Sequence, residues 1–132
     1  MGNFKELRVW QEGIDLAETI YGITREGAFS REFGLGDQIQ RAAVSISSNI
    51  AEGDERGTNK ESIHYFNIAK GSAAEVITQL YIAKRIGYID QELLKSLEGK
   101  SEKIRASLKK LIKARKASGF NNLKSFLLSF FL

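Results

Sequence analysis

The stretch AAVSISSNIAEG, Ala42–Gly53, supports two secondary structures, and the choice between them sets the fold class. Over Val44, Ser45, Ile46 and Ser47 apolar and polar residues alternate, which is the period of a half-buried strand. In a longer window the apolar positions are Leu35, Ile39, Ala42 or Ala43, Ile46 and Ile50, at steps of three and four. That spacing is helical. The helix must then accommodate Ser45, Ser47, Ser48 and Asn49, residue types that compete with helical backbone for hydrogen bonds. Such side chains need partners beside the core stripe.

Working outward, Leu7, Trp10, Ile14, Ala17, Tyr21 and Thr24 form a heptad-like row that predicts a first helix over residues 4–25. Residues 27–36 hold three glycines and no steady period, and read as a link. Asp37 opens the second helix, where a carboxylate favours the N-terminus. It runs to about Glu55, with Gly57 placed to cap it. Thr58 or Asn59 caps a third helix, whose row is Ile63, Phe66, Ala69, Ala73, Ile77 and Leu80 and whose end is Gly87. Asp90 caps the fourth, with Leu94, Leu97, Ser101, Ile104, Leu108 and Leu111 in its row, until Gly119. Short links between long helices favour antiparallel neighbours. The expectation is an all-α fold, an antiparallel up-down-up-down four-helix bundle over 1–119, with 120–132 as a separate apolar tail. Residues 126–132 include a single polar side chain, so the tail is expected to pack on this bundle or on a neighbouring copy.

A chain of 132 residues can bury roughly two thirds of its unfolded surface in one core. There is no cysteine, which excludes disulfides and thiolate metal sites. There is no proline either, as expected where helix interiors dominate. The start lacks a signal-peptide pattern and no apolar run approaches the ~20 residues of a membrane span, so a cytoplasmic protein without membrane contact is expected.

Little in the chain points to catalysis. His64 is the single histidine, and no serine nucleophile is placed beside it by spacing. Glu52, Asp54 and Glu55 could in principle hold Mg²⁺, but a neighbouring arginine such as Arg56 or Arg41 is the simpler partner. Glycine-rich phosphate loops and zinc-protease motifs are absent from the sequence. A non-enzymatic protein without a cofactor is expected.

Two surfaces stand out instead. The net charge is +4, and from Lys103 to Lys116 there are seven basic residues and no acidic one. Lys103, Arg105, Lys109, Lys110, Lys113 and Lys116 spread over the side of helix 4 opposite its apolar row, an arc able to track nucleic-acid phosphates. An ordinary solvated face would look the same. The second surface is the polar strip of helix 2, Gln38, Arg41, Ser45, Ser48, Asn49 and Glu52, matched on helix 3 by Gly71, Ser72, Glu75 and Gln79. Plain exposure would more usually supply Lys and Glu than Ser, Asn and Gly. The strip is read as a contact surface toward another helix, subunit or partner.

Three blocks, FKELRVWQEGIDLAETIY, FGLGDQIQRAAVSISSNIAEG and FNIAKGSAAEVITQLYIAKRIGYI, resemble the four-helix bundle protein family first found in intervening sequences of 23S ribosomal RNA genes. The resemblance spans about residues 4–89, and NIAEG, Asn49–Gly53, is its most specific element. It implies a homopentamer and a kinship with the accessory variability protein of diversity-generating retroelements, a basic barrel that binds nucleic acid and a reverse transcriptase. By the same resemblance Arg41, Asn49, Glu52, Glu75 and Gln79 occupy positions typical of the family. Ser30 and Ser47 stand where relatives commonly have proline, which predicts a straighter helix 2. The function that follows is an RNA- or DNA-binding accessory factor using helix 4, or alternatively a scaffold that docks a protein such as a reverse transcriptase.

Overall fold

The computed structural model describes residues 2–131, except for the side chains of Phe120, Asn121, Asn122 and Phe131. Four α-helices follow in order: α1 (Arg8–Thr24), α2 (Phe33–Glu55), α3 (Asn59–Arg85) and α4 (Gln91–Phe131), with short 3₁₀ turns at Phe4–Glu6 and Gly27–Arg31. They form an antiparallel bundle in which α1 packs on α2, α2 on α3, α3 on α4 and α4 back on α1. The disputed stretch lies wholly inside α2, which runs unbroken through Ser47.

The caps explain where the helices begin. Thr58 accepts the backbone N–H of Glu61 at 3.2 Å and Asp90 that of Leu93 at 2.8 Å, as the sequence predicts. The end of α3 passes into Gly87 at φ 84°, a left-handed conformation natural to glycine. At α2 the expectation fails by one turn. Glu32 is the cap, its carboxylate accepting from the N–H groups of Gly34 (2.7 Å) and Leu35 (2.8 Å), so the helix starts at Phe33. Gly34 and Gly36 are helical rather than parts of a link, and Asp37, a turn inside, pairs with Arg41 at 3.7 Å. Gly57 adds no left-handed cap, since among the described residues only Gly27 and Gly87 have positive φ.

The core rows of α2, α3 and α4 largely follow their sequence periods, except that Val76 is buried in place of Ile77 and Ile112 in place of Leu111, while Ile63, Ile77 and Leu111 are only partly buried. Ile39, Ile46 and Ile50, then Phe66, Val76 and Leu80, then Leu97, Ile104 and Leu108 are all essentially inaccessible. Helix α1 differs. Its buried row is Val9, Gly13, Leu16, Ile20 and Thr24, whereas Leu7, Trp10 and Ala17 are only partly buried against the core and Ile14 is 42% exposed. The reason is interhelical distance. A β-carbon on Gly13 would lie 3.3 Å from the Ser47 β-carbon, so the inward position is occupied by glycine and the bulkier Ile14 is displaced outward.

Helix α4 is also longer than expected. It continues through Gly119 to Phe131 because Gly119 takes no left-handed conformation and a single glycine costs a helix only about 1 kcal/mol. Position 119 passes the beginning of α3, where an added β-carbon would be 3.4 Å from Asn59 Nδ2. Past that point the helix leaves its own bundle. Leu123, Phe126, Leu127, Leu128 and Phe130 are all exposed, Phe130 by 74%, so the apolar segment does not pack on the bundle that carries it. No described helix is long and apolar enough to cross a membrane.

The tightest helix contact joins α2 to α3 at Gly53. A β-carbon there would meet the ring of Phe66 at 2.6 Å and 2.7 Å and the Ser62 carbonyl at 3.1 Å, and Phe66 is fully buried. Gly53→Ala is therefore expected to destabilise the fold by about 1–3 kcal/mol, the usual cost of overpacking. Urea denaturation monitored by circular dichroism measures it, with Gly71→Ala, which has open space around it, as the tolerated control.

Candidate functional site

The polar strip of α2 divides in two. Its inner part is satisfied within the bundle: Asn49 Nδ2 donates to the Ser45 carbonyl (2.8 Å) and to Ser45 Oγ (2.9 Å), and Ser45 Oγ lies 2.8 Å from Ser72 Oγ on α3. These side chains bridge two helices. Its outer part, Gln38, Arg41, Ser48 and Glu52, is exposed. Gln38 joins Glu75, Thr78, Gln79 and Ile82 around a shallow open depression between α2 and α3. Gln79 Oε1 is shielded from solvent and has no hydrogen-bond partner among the described residues. Glu52 lies apart from this group and pairs with Arg56 at 3.0 Å. The Arg56 guanidinium also donates to Tyr65 Oη at 2.9 Å and sits 4.6 Å from that ring's centroid, a cation–π geometry.

The basic arc of α4 divides as well. Lys103 pairs with Glu12 of α1 at 3.5 Å and Arg105 with Glu102 at 3.0 Å. These two are engaged within the fold. Lys109, Lys110, Lys113 and Lys116 are exposed and form no ion pair among the described residues. At 100° per residue, Lys109, Lys113 and Lys116 fall on one line along the helix and Lys110 to its side. Nearer the start of α4, Glu98 accepts a hydrogen bond from Tyr81 Oη at 2.8 Å. The Tyr81 phenol is raised above its ordinary value by that bond first, then by lost hydration and the carboxylate charge.

Asp54 belongs to neither surface. It is 4% exposed and accepts from Arg115 Nη2 at 3.0 Å. Arg115 Nη1 lies 3.3 Å from Ser62 Oγ, and Ser62 Oγ donates to the Gly53 carbonyl at 2.6 Å. The Arg115 guanidinium is also 5.4 Å from the Phe66 ring centroid. The sequence reading assigned Asp54 a partner on or near its own helix, Arg56 or Arg41, and left Arg115 out. The missed signal was register: Asp54 is one turn past Ile50 and Arg115 two turns past Leu108, so both occupy core positions. With Asp54 buried against Arg115 and Glu52 on the surface against Arg56, the two carboxylates do not share a site. No group of three potential metal-ligating side chains occurs among the described residues. His64 is exposed and edge-on to Tyr65, with ring centroids 5.2 Å apart.

A family model described as 23S rRNA-intervening sequence protein matches residues 5–110. Among solved structures, the chain is similar to a protein of unknown function from the S23 ribosomal protein family of Bacteroides thetaiotaomicron, at 29% identity and a TM-score of 0.74, over 80% of this chain and 98% of that one. No curated protein matches. Neither description names an enzymatic activity. The matched range takes in the whole α2–α3 strip and stops at Lys110, within the basic arc.

The Asp54–Arg115 pair yields a stability test. Arg115→Leu strands a buried carboxylate and is expected to cost about 3 kcal/mol, the low end for breaking a buried pair, because Arg115 keeps some solvent contact. Asp54→Asn in the same chain should recover much of that loss, since the uncompensated charge is gone. Chemical denaturation of the two single variants and the double variant measures the coupling.

Proposed function

The chain belongs to the 23S rRNA-intervening sequence protein family, and from that premise we propose that it is a non-enzymatic, homo-oligomeric accessory factor that binds RNA or DNA through α4. The observation that carries the proposal is the set of exposed, unpaired lysines at 109, 110, 113 and 116. A lysine already held by a carboxylate releases fewer counterions when it meets a phosphate, so the unpaired ones supply the favourable term. Lys103 and Arg105 act at the margin of this surface, their charge partly offset by Glu12 and Glu102.

Binding of this kind reads backbone charge and not base sequence. In a homopentamer, the assembly implied by the family resemblance, five lysine rows would act together and raise avidity without any new contact. A second reading, a scaffold that docks a protein such as the reverse transcriptase that the resemblance implies, is favoured by one observation. The α2–α3 depression combines the shielded, unpartnered Gln79 Oε1 with Ile82, 45% exposed, at its edge.

Fluorescence anisotropy with a generic single-stranded RNA and the equivalent DNA separates the readings. The combined variant Lys109→Glu, Lys110→Glu, Lys113→Glu is expected to lose at least about tenfold in affinity at low salt. The neutral variant with Gln at the same positions should flatten the slope of log affinity against log salt by about 2, at roughly 0.7 per lost contact. Unchanged affinity and slope would remove α4 as the nucleic-acid surface. For the scaffold reading, Gln79→Arg should abolish capture of a protein partner from nuclease-treated extract while leaving RNA affinity intact.

A further inference from the structure

Between the end of α2 and the first turns of α3 lies an open depression of about 510 Å³, lined by Arg56, Thr58, Lys60, Glu61, His64 and Tyr65. Its charges nearly cancel, because Arg56 is held by Glu52 at 3.0 Å and Lys60 shares the rim with Glu61. A phosphate gains little there. What the depression offers is a fixed aromatic pair. Tyr65 is partly buried and held by the Arg56 guanidinium, which sits 4.6 Å from its ring centroid and donates to its hydroxyl at 2.9 Å. His64 is exposed and stands edge-on to that ring, with centroids 5.2 Å apart.

The depression adjoins the lysine row of α4. Glu98 of α4 accepts from Tyr81 of α3, which marks the flank that each helix turns toward the other. Lys109 and Lys116 follow Glu98 by 11 and 18 residues, about three and five turns, and so fall on that flank of α4. On α3, Lys70 precedes Tyr81 by 11 residues, again about three turns, and falls on the facing flank. Lys60 follows Asn59, the residue that Gly119 of α4 passes. No acid interrupts this surface, since α3 has none from Ser62 to Ala74 and α4 none after Glu102. A polyanion on Lys109 and Lys116 is thereby led across Lys70 and Lys60 to His64.

We propose that the exposed His64 ring, beside Tyr65 and Arg56, is a stacking platform for one unpaired base of a single-stranded nucleic acid whose phosphates follow the α3 and α4 lysines. This rests on the nucleic-acid reading of α4 given above, and adds to it a base contact and the strand form that is bound. Stacking needs the face of a base and no particular base. The contact therefore favours single strands, whose bases can be splayed out, over duplexes, whose bases are already stacked. A base is neutral, which suits a depression whose own charges are balanced. The volume also falls within the ~300–1,000 Å³ of ordinary small-ligand sites.

An abasic oligodeoxynucleotide carries the phosphates of oligo(dT) without its bases, and so isolates the contact. By fluorescence anisotropy, the full chain is expected to bind oligo(dT) at least about fivefold more tightly than an abasic strand of equal length, the low end for one stacked base. His64→Ala should bring oligo(dT) down to the affinity of the abasic strand. His64→Phe should keep the preference, since a ring is all that stacking requires. Lys60→Gln with Lys70→Gln should flatten the salt slope by about 1.4 on either strand, at roughly 0.7 per lost contact. Equal wild-type affinity for the two strands would overturn the base contact and leave the lysine surface standing. So would a preference that survives His64→Ala or disappears in His64→Phe, and an unchanged salt slope would overturn the path across α3. If the wild type binds neither strand at low salt, the nucleic-acid reading itself fails, and this contact with it.

Discussion

At the join of α2 and α3, the Phe66 ring occupies the space that any side chain at position 53 would need. This contact brings the end of one helix onto the first turns of the next. It also puts the Gly53 carbonyl, one of the acceptors that a helix end leaves without an intrahelical donor, within 2.6 Å of Ser62 Oγ. The same serine faces Arg115 of α4, and Arg115 faces Asp54. One glycine thus permits a polar cluster that ties three of the four helices together in a region otherwise packed by apolar side chains. Apolar packing alone is tolerant of small slips. A buried carboxylate opposite a guanidinium is not, and it fixes the relative positions of α2, α3 and α4.

That constraint accounts for what the most distinctive block of the sequence does. NIAEG lies along the last turns of α2, and its residues have separate tasks: Asn49 bonds back to Ser45, which meets Ser72; Ile50 is core; Glu52 holds Arg56; Gly53 admits Phe66. The serines that make the block look strand-like are helix-to-helix bridges or local bonds, as with Ser47 Oγ donating to the Val44 carbonyl at 3.3 Å. The polar character of this helix therefore has a structural origin over its inner half. Only the outer half, with Gln38, Arg41, Ser48 and Glu52, remains exposed.

Helix number, order and most core rows were legible because period and caps are local properties of the chain. Besides the start of α2, which Glu32 caps a turn before Asp37, three features were not. The inward row of α1 depends on how closely α1 approaches α2, and an apolar count prefers Ile14 to Gly13 although the packed interface prefers the reverse. The end of α4 was misplaced because glycine marks a helix end only when the backbone takes the left-handed conformation, which Gly87 does and Gly119 does not. The pairing of charges was hidden for a different reason. Lys103 and Lys110 are equivalent on a wheel, being seven residues apart, yet only the first has Glu12 opposite it. Tertiary neighbours decide which cations are free, and a single helix cannot reveal them.

The division of labour along α4 follows from these placements. Its first part is an ordinary bundle helix in which Lys103 is answered by Glu12 of α1 and Arg105 by its own Glu102. After Glu102 the acids cease, and from Lys109 the helix carries unpaired lysines outward while Ile112 and Arg115 still anchor it to the core. Beyond Gly119 the anchoring stops and the apolar row begins. Unpaired lysines and an exposed apolar row are thus consecutive on one continuous helix. Asp54 and Arg115 are the joint that holds the inner half of this helix in place.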